Sequence, residues 1–252
     1  MFNRRFLLRK CRLAGYAARL GWAGRRADAL KALRDRRLGY EAMAWSERVP
    51  GPCRTIIDAG AHSGQVSAAL DLAFHPVRLL AIEANPALAA GLRARFAAQP
   101  QIHVAAVALA EQNGTLPFFL QNFDAASSLF PLREGYLASL GLPEGTRQID
   151  VPARRLDEVA AEAGFDEVDL LKLDCQGAEL RILQGARSLL PRIRHIYIEV
   201  TFEPIYTEGA LFHEVHAFLR AAGFCLAHLG TAGSVHGNID QGDALYVRAA
   251  PR

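Results

Sequence analysis

The stretch Asp58-Ala-Gly-Ala-His-Ser-Gly64 limits what this chain can fold into more than any other part of it. Thr55-Ile56-Ile57 before it is a short β-branched run, which predicts a buried strand. Gln65–Ala73 after it carries helical periodicity. A strand, a glycine-bearing turn and a helix N-terminus in that order make a nucleotide cradle. Gly60 is expected to let the backbone turn sharply, and Gly64 to let a bulky ligand approach. Free N–H groups at the helix start favour electron-rich ligand atoms, which makes Ala61, His62 and Gln65 cradle residues as well.

The remaining chain alternates in the same sense. Strands are expected at Val77–Ile82, Ile102–Leu109, Val168–Asp174 and His195–Thr201, with helices over 86–98, 156–163, 178–190 and 211–222 between or after them. Gly114–Leu120 reads as an extra strand and Gln148–Ala153 as an extended run. Gln121–Glu144 between them is a polar-aromatic loop with some helix near 132–140. Phe224–Leu229 and Ala244–Arg248 are two last strands joined by a Gly-rich turn. Strands alternating with helices imply a parallel sheet covered on both faces, an α/β protein.

Charge divides the chain. Residues 1–37 hold twelve Lys or Arg against two acids, whereas the remainder holds 17 against 24. A basic helical extension over 1–49 joined to a domain over 50–252 is therefore expected, with Pro50-Gly-Pro52 as the punctuation. The extension places Phe2, Phe6, Leu13, Ala17 and Leu20 on one stripe beside Arg5, Arg9, Arg12 and Arg19. Such a helix either packs on the domain or lies on an anionic membrane surface. Arginines interrupt any signal-peptide core, so the expected location is cytoplasmic, with peripheral contact at the inner membrane face as the open alternative. No stacking pattern supports nucleic-acid binding. Four scattered cysteines without a CxxC pair suit a reducing compartment and argue against structural zinc. His213-Glu-Val-His216 is a weak ligand pair, so no metal is expected.

The glycine spacing bears on which nucleotide is held. A dinucleotide fingerprint runs G-x-G-x-x-G, but here it is Asp58-x-Gly60-x-x-x-Gly64. An acid at the strand end is a poor neighbour for pyrophosphate and a good one for the ammonium of an amino-acid moiety. Glu83 ends the second strand, where a carboxylate can accept from both ribose hydroxyls, with Ala84 and Asn85 beside it. Together these favour S-adenosylmethionine, which has a ribose, an adenine and a methionine tail but no phosphate.

Further segments follow in a recognisable order. They are Ser127-Ser-Leu129, Arg155-Leu-Asp-Glu158, Lys172-Leu-Asp174-Cys-Gln-Gly177-Ala-Glu179, Leu183-x-Gly185-Ala186 and Ile198-Glu-Val200. With the two acidic strand ends, the chain resembles the FkbM family of S-adenosylmethionine-dependent methyltransferases over roughly residues 54–230. The resemblance implies a class I methyltransferase sheet, a Rossmann-like three-layer sandwich of strand order 3-2-1-4-5-7-6 with strand seven antiparallel. It also implies methyl transfer to oxygen, typically a hydroxyl of a sugar, glycan or polyketide-like natural product. Two departures stand out: Gln176 replaces the usual Glu, and Ala106 leaves adenine recognition to backbone groups near Val107 and Ala108.

In that sheet order Gly60–Gly64 and Asp174–Glu179 face each other across the crevice. Asp174 is then the leading candidate for the reaction zone, either touching the methionine portion or acting as general base toward the acceptor. Lys172 shares its strand face and, buried, needs a partner. Glu199 is the expected one, with Asp58 also in range, and Glu179 reaches back toward the same cluster. Cys175 reads as a small packing residue. Ser127, Ser128, Phe118–Tyr136 and Phe202–Tyr206 are candidates for the acceptor wall. Two rival readings stay open: a nicotinamide-dependent oxidoreductase, and a binding protein that keeps a degenerate methyltransferase fold.

Overall fold

The computed structural model describes residues 46–235 and 238–249, so the basic arm and its membrane alternative lie outside the described residues. Ser46 and Val49 are already buried, Val49 among the apolar side chains under β1, so the domain takes in residues assigned by sequence to the extension.

Seven strands form the main sheet in the order β3-β2-β1-β7-β8-β10-β9, the order the resemblance implies. They are β1 (Thr55–Ala59), β2 (Arg78–Ile82), β3 (Ile102–Ala105), β7 (Val168–Leu173), β8 (Ile193–Thr201), β9 (Phe224–Val235) and β10 (Asn238–Arg248). The first five named run parallel to one another, and β10 runs antiparallel to both β8 and β9. The fold is an α/β class I methyltransferase fold.

Alternation along the parallel strands builds two cores. Ile56, Leu79 and Leu170 point to one face with Leu70, Leu72 and Leu92. Ile57, Leu80, Leu171 and Ile196 point to the other with Leu156, Ile182 and Phe224. Strands buried on both faces are rich in apolar residues, and Ile56-Ile57 in β1, Leu170-Leu171 in β7 and Ile196 with Ile198 in β8 carry that signal. The covering helices are α1 (Gln65–Phe74), α2 (Pro86–Arg95), α4 (Leu156–Glu162), α5 (Glu179–Gln184) and α6 (Phe212–Ala221), with a short α3 at Tyr136–Ser139. Asn85 caps α2 by accepting the Ala87 N–H at 3.0 Å, with Pro86 in the first turn. Glu214 does the reciprocal service for α6, accepting the Leu211 N–H at 2.9 Å.

Three expectations are corrected. The strand placed over Ile102–Leu109 breaks after Ala105, and Ala108–Leu109 (β4) pairs instead with β6 (Thr146–Arg154). With β5 (Gly114–Gln121) these make a second, three-stranded sheet, and the crossing between the sheets puts Val107 at the ligand edge. The helix expected over 178–190 ends at Gly185, where the Ala110 carbonyl packs so closely that no Cβ fits. The final hairpin extends through the glycines read as a turn; Gly230 pairs with Asp243, and Gly242 lies too close to the Gly230 carbonyl for a side chain. Among the described residues, no helix is long and apolar enough to cross a membrane.

Candidate cofactor cleft and its charged floor

A cleft of about 490 Å³ opens at the carboxyl ends of β1, β2 and β7, the switch point of the sheet. Gly60, at φ 75°, makes its floor. A Cβ there would overlap the Asp174 carbonyl, so the β1 and β7 loops close on each other only through a glycine. Gly64 also has positive φ (77°), but it does not line the cleft. A Cβ on it would meet Leu92 Cδ2 at 2.7 Å and Phe96 Cε2 at 2.8 Å. Its small size serves the packing of α1 on α2, not the approach of a ligand.

Glu83 is 7% exposed and lines the cleft. Its two oxygens accept different backbone donors, His62 N–H at 2.7 Å and Asn85 N–H at 2.8 Å. Burial pushes the carboxyl up, and those two donors pull against it. The carboxylate is therefore held rigid while each oxygen keeps a further lone pair. His62 takes a left-handed turn, φ 50°, to make its bond, and its Nε2 stands 3.2 Å from Asp124 Oδ1 across the cleft mouth. Ala61, Gln65, Ala84, Asn85 and Val107 line the cleft too, and Ile82, Leu109, Phe118, Leu129 and Ile182 give it an apolar wall.

The charged floor differs from expectation. Lys172 pairs with Asp58 Oδ1 at 3.3 Å and Asp174 Oδ2 at 3.5 Å, and donates to the Gly60 carbonyl at 3.1 Å. Glu199 is not its partner. The parallel register sets Lys172 beside Asp58 on one side and Tyr197 on the other, two residues short of Glu199. Burial alone would lower the lysine's affinity for its proton; Asp58 and then Asp174 outweigh it, and its pKa rises. Asp58 is fully buried, its Oδ2 accepting the Ser67 hydroxyl at 2.5 Å, and it lies beneath the cleft, not on its wall. An acid read from sequence as a ligand for an ammonium thus holds a lysine in place. Asp174 is 38% exposed at its side chain and lines the cleft directly.

Glu179 lies behind the wall, 4% exposed, and accepts the Cys175 N–H at 2.7 Å, which shapes the loop leading into α5. Burial foremost, with the charge of Asp174 adding to it, pushes its carboxyl up to about 7 against the pull of backbone donors. The folded state therefore keeps a proton that the unfolded chain releases. This group's contribution is complete below the ordinary carboxylate value and is lost as pH rises through about 7. Glu179→Gln keeps the acceptor and removes that dependence. Relative to the variant, wild type should lose about 3 kcal/mol of unfolding free energy between about pH 4.5 and about pH 7.5, at about 1.4 kcal/mol per pKa unit. Urea denaturation at both pH values measures this, and parallel stability curves would contradict it.

The stretch Phe118–Tyr136, a candidate acceptor wall from sequence, supplies the cover of the cleft. Residues 124–129, a 3-10 turn at Asp124–Ala126 and the serines after it, lie over the opening. Ser127 lines it, whereas Ser128 is buried and donates to the Gln176 carbonyl at 2.6 Å. Tyr206, from the segment expected to form the acceptor wall, lies 2.7 Å from Gln176 Oε1 and 3.1 Å from the Ala126 carbonyl. Burial holds the Cys175 thiol well above its ordinary range, in keeping with a packing residue. His216 is engaged with the Tyr246 hydroxyl at 3.0 Å, and His213 is exposed.

Comparisons with known proteins agree with this architecture. The family described as "Methyltransferase FkbM domain" matches residues 58–226. The 2-O-methyltransferase NoeI of Sinorhizobium fredii is 29% identical over 167 residues, covering 64% of this chain and 68% of that protein. The 31-O-demethyl-FK506 methyltransferase FkbM of Streptomyces tacrolimicus is 39% identical over 84 residues, 33% of this chain and 30% of its own length. A crystal structure of a methyltransferase FkbM from Methylobacillus flagellatus aligns with TM-score 0.49 at 15% identity, over 96% of this chain and 59% of that one.

Proposed function

The chain belongs to the FkbM methyltransferase family, and we propose that it moves a methyl group from S-adenosylmethionine to a hydroxyl oxygen. The observation that carries the donor is the charge of the cleft. Among the described residues its only Lys or Arg is Lys172, which Asp58 and Asp174 already neutralise, while Glu83, Asp124 and Asp174 present carboxylates. A pyrophosphate finds no free cation there, which speaks against a nicotinamide dinucleotide. A sulfonium and an ammonium find compensating charge.

The residues divide the work accordingly. Glu83, pinned by two backbone donors, would hold the ribose hydroxyls, and the apolar wall from Ile82 to Ile182 would take the adenine. Gly60 brings the backbone close enough for the methionine tail, with Asp174 beside it. The bound donor supplies an electrophilic methyl on sulfur. The protein's contribution is then to fix the acceptor oxygen in line and to exclude water, an ordering effect that alone removes several kcal/mol from a bimolecular barrier. Oxygen as the acceptor atom follows the two relatives described as O-methyltransferases or as acting on an O-demethyl compound. A sugar or glycan hydroxyl is the first class to try.

Methyl-labelled donor incubated with a panel of glycans and hydroxylated natural products tests the reaction. The expected product carries label in a base-stable ether; label released by mild base as methanol would indicate a carboxyl acceptor instead. For the donor site, Glu83→Ala should weaken S-adenosylhomocysteine binding at least about tenfold, roughly 1.4 kcal/mol, as measured by titration calorimetry. Unchanged affinity would remove Glu83 from the ribose role.

A further inference from the structure

Gln176 is one of three described residues other than glycine with positive φ, at 56°. For an L-residue that conformation costs about 1 kcal/mol or more, and four hydrogen bonds accompany it. The side-chain amide donates to Asp174 Oδ1 at 2.7 Å and to Glu199 Oε2 at 3.2 Å. Its oxygen accepts the Tyr206 hydroxyl, and its backbone carbonyl accepts that of Ser128. One residue thus joins the end of β7, the end of β8 and the segment covering the cleft.

The charges around it make the neutral amide matter. Facing it are Lys172, Asp174 and Cys175 from β7 and its loop, Glu199 from β8 and Glu179 from α5. Asp243 and Asp240 of β10 and the phenols of Tyr206 and Tyr136 complete the surroundings. Lys172 is the sole cation among them, and it is engaged with Asp58 and Asp174. Among the described residues, the donors to Glu199 are neutral amides, Gln176 and Gln241 Nε2 at 3.1 Å. Burial, with the charges of Asp174, Glu179 and Asp243 adding to it, holds the Glu199 carboxyl well above its ordinary range, so the amide joins a part-exposed carboxylate to a buried carboxyl group by two donated hydrogen bonds without adding charge.

We propose that Gln176 is a positioning residue: by bridging Asp174 and Glu199 it keeps the donor cleft in its binding geometry at neutral and alkaline pH, and it makes the cover over residues 126–130 depend on those two side chains. The inference rests on the S-adenosylmethionine reading for its ligand, but not for its structural half. Glu in place of Gln176 has the same shape, yet when ionised it donates nothing and sets a second negative charge against Asp174. The bridge then exists only when the cluster holds a proton.

Two readouts on the full chain test this, for wild type, Gln176→Glu and Gln176→Ala. Hydrogen exchange at residues 126–130 of the free protein should match wild type in Gln176→Glu at about pH 5.5 and, after correction for intrinsic rate, be at least about tenfold faster at about pH 8.5, the factor set by one pKa unit. In Gln176→Ala it should be faster than wild type at both pH values. Affinity for S-adenosylhomocysteine, relative to wild type, should follow the same pattern. Gln176→Glu behaving as wild type at about pH 8.5, or Gln176→Ala doing so at either pH, would overturn the inference. If wild type binds no S-adenosylhomocysteine, the donor assignment fails and the exchange measurement still decides the bridge.

Discussion

Lys172→Met is expected to destabilise the protein by about 3–5 kcal/mol, the usual cost of leaving one member of a buried ion pair alone. Asp58 is fully buried at the end of β1, and its other oxygen already takes the Ser67 hydroxyl, so nothing else nearby can meet its charge. Asp174 would lose the same partner, but it is part-exposed and keeps the Gln176 amide. The damage should therefore fall on Asp58. Adding Asp58→Asn should recover most of the loss, because a buried pair replaced on both sides is commonly neutral in cost. Urea denaturation of the two single variants and the double variant measures it. A loss under about 1 kcal/mol for Lys172→Met, within the range of exposed ion pairs, would show that the lysine is not the support described.

Gly60→Ala should remove cofactor binding altogether. Two effects add at this position. Positive φ costs an alanine about 1–2 kcal/mol, and the new Cβ would overlap the Asp174 carbonyl, which is backbone and has no rotamer to escape into. The β1 and β7 loops must part, moving Asp174 and the Lys172 contact to the Gly60 carbonyl with it. Gly51 separates the two effects, since it has φ 79° but nothing within 4 Å of its would-be Cβ. Gly51→Ala should cost only the backbone strain and leave S-adenosylhomocysteine affinity unchanged. Gly60→Ala should cost at least about 2 kcal/mol more, the scale of an overpacked core, and bind no detectable ligand. Equal behaviour of the two variants would mean that the loops tolerate separation.

These contrasts mark what a sequence can carry. Gly60 and Glu83 were legible as cleft residues because local chemistry decides them: one must turn, the other is an acid where a strand ends. The sheet order was legible only through the family resemblance, which the motif residues at the ends of β1, β2 and β7 carry. Asp58 and Gly64 were legible as special but not in role. Whether an acid at a strand end meets a ligand or a lysine depends on the register of β1 against β7, and register leaves no local trace. The same holds for Lys172, whose partner is set by two neighbouring strands at once. Gly64 needed the position of Leu92 and Phe96 on the next helix. The tie of residues 124–129 to Gln176 escaped for a further reason. Its bonds run from Ser128 and Tyr206 to a backbone carbonyl and an amide, with no periodicity to announce them.

We propose that this cleft holds S-adenosylmethionine through Glu83, Gly60 and Asp174, over a lysine already neutralised by its two acids. Titration calorimetry of the full chain with S-adenosylhomocysteine, and separately with NAD, tests it most directly. The account predicts saturable S-adenosylhomocysteine binding tighter than about 100 µM, roughly −5.5 kcal/mol, and no binding of NAD at the same concentrations. Silence with S-adenosylhomocysteine, or binding of NAD in its place, would contradict it.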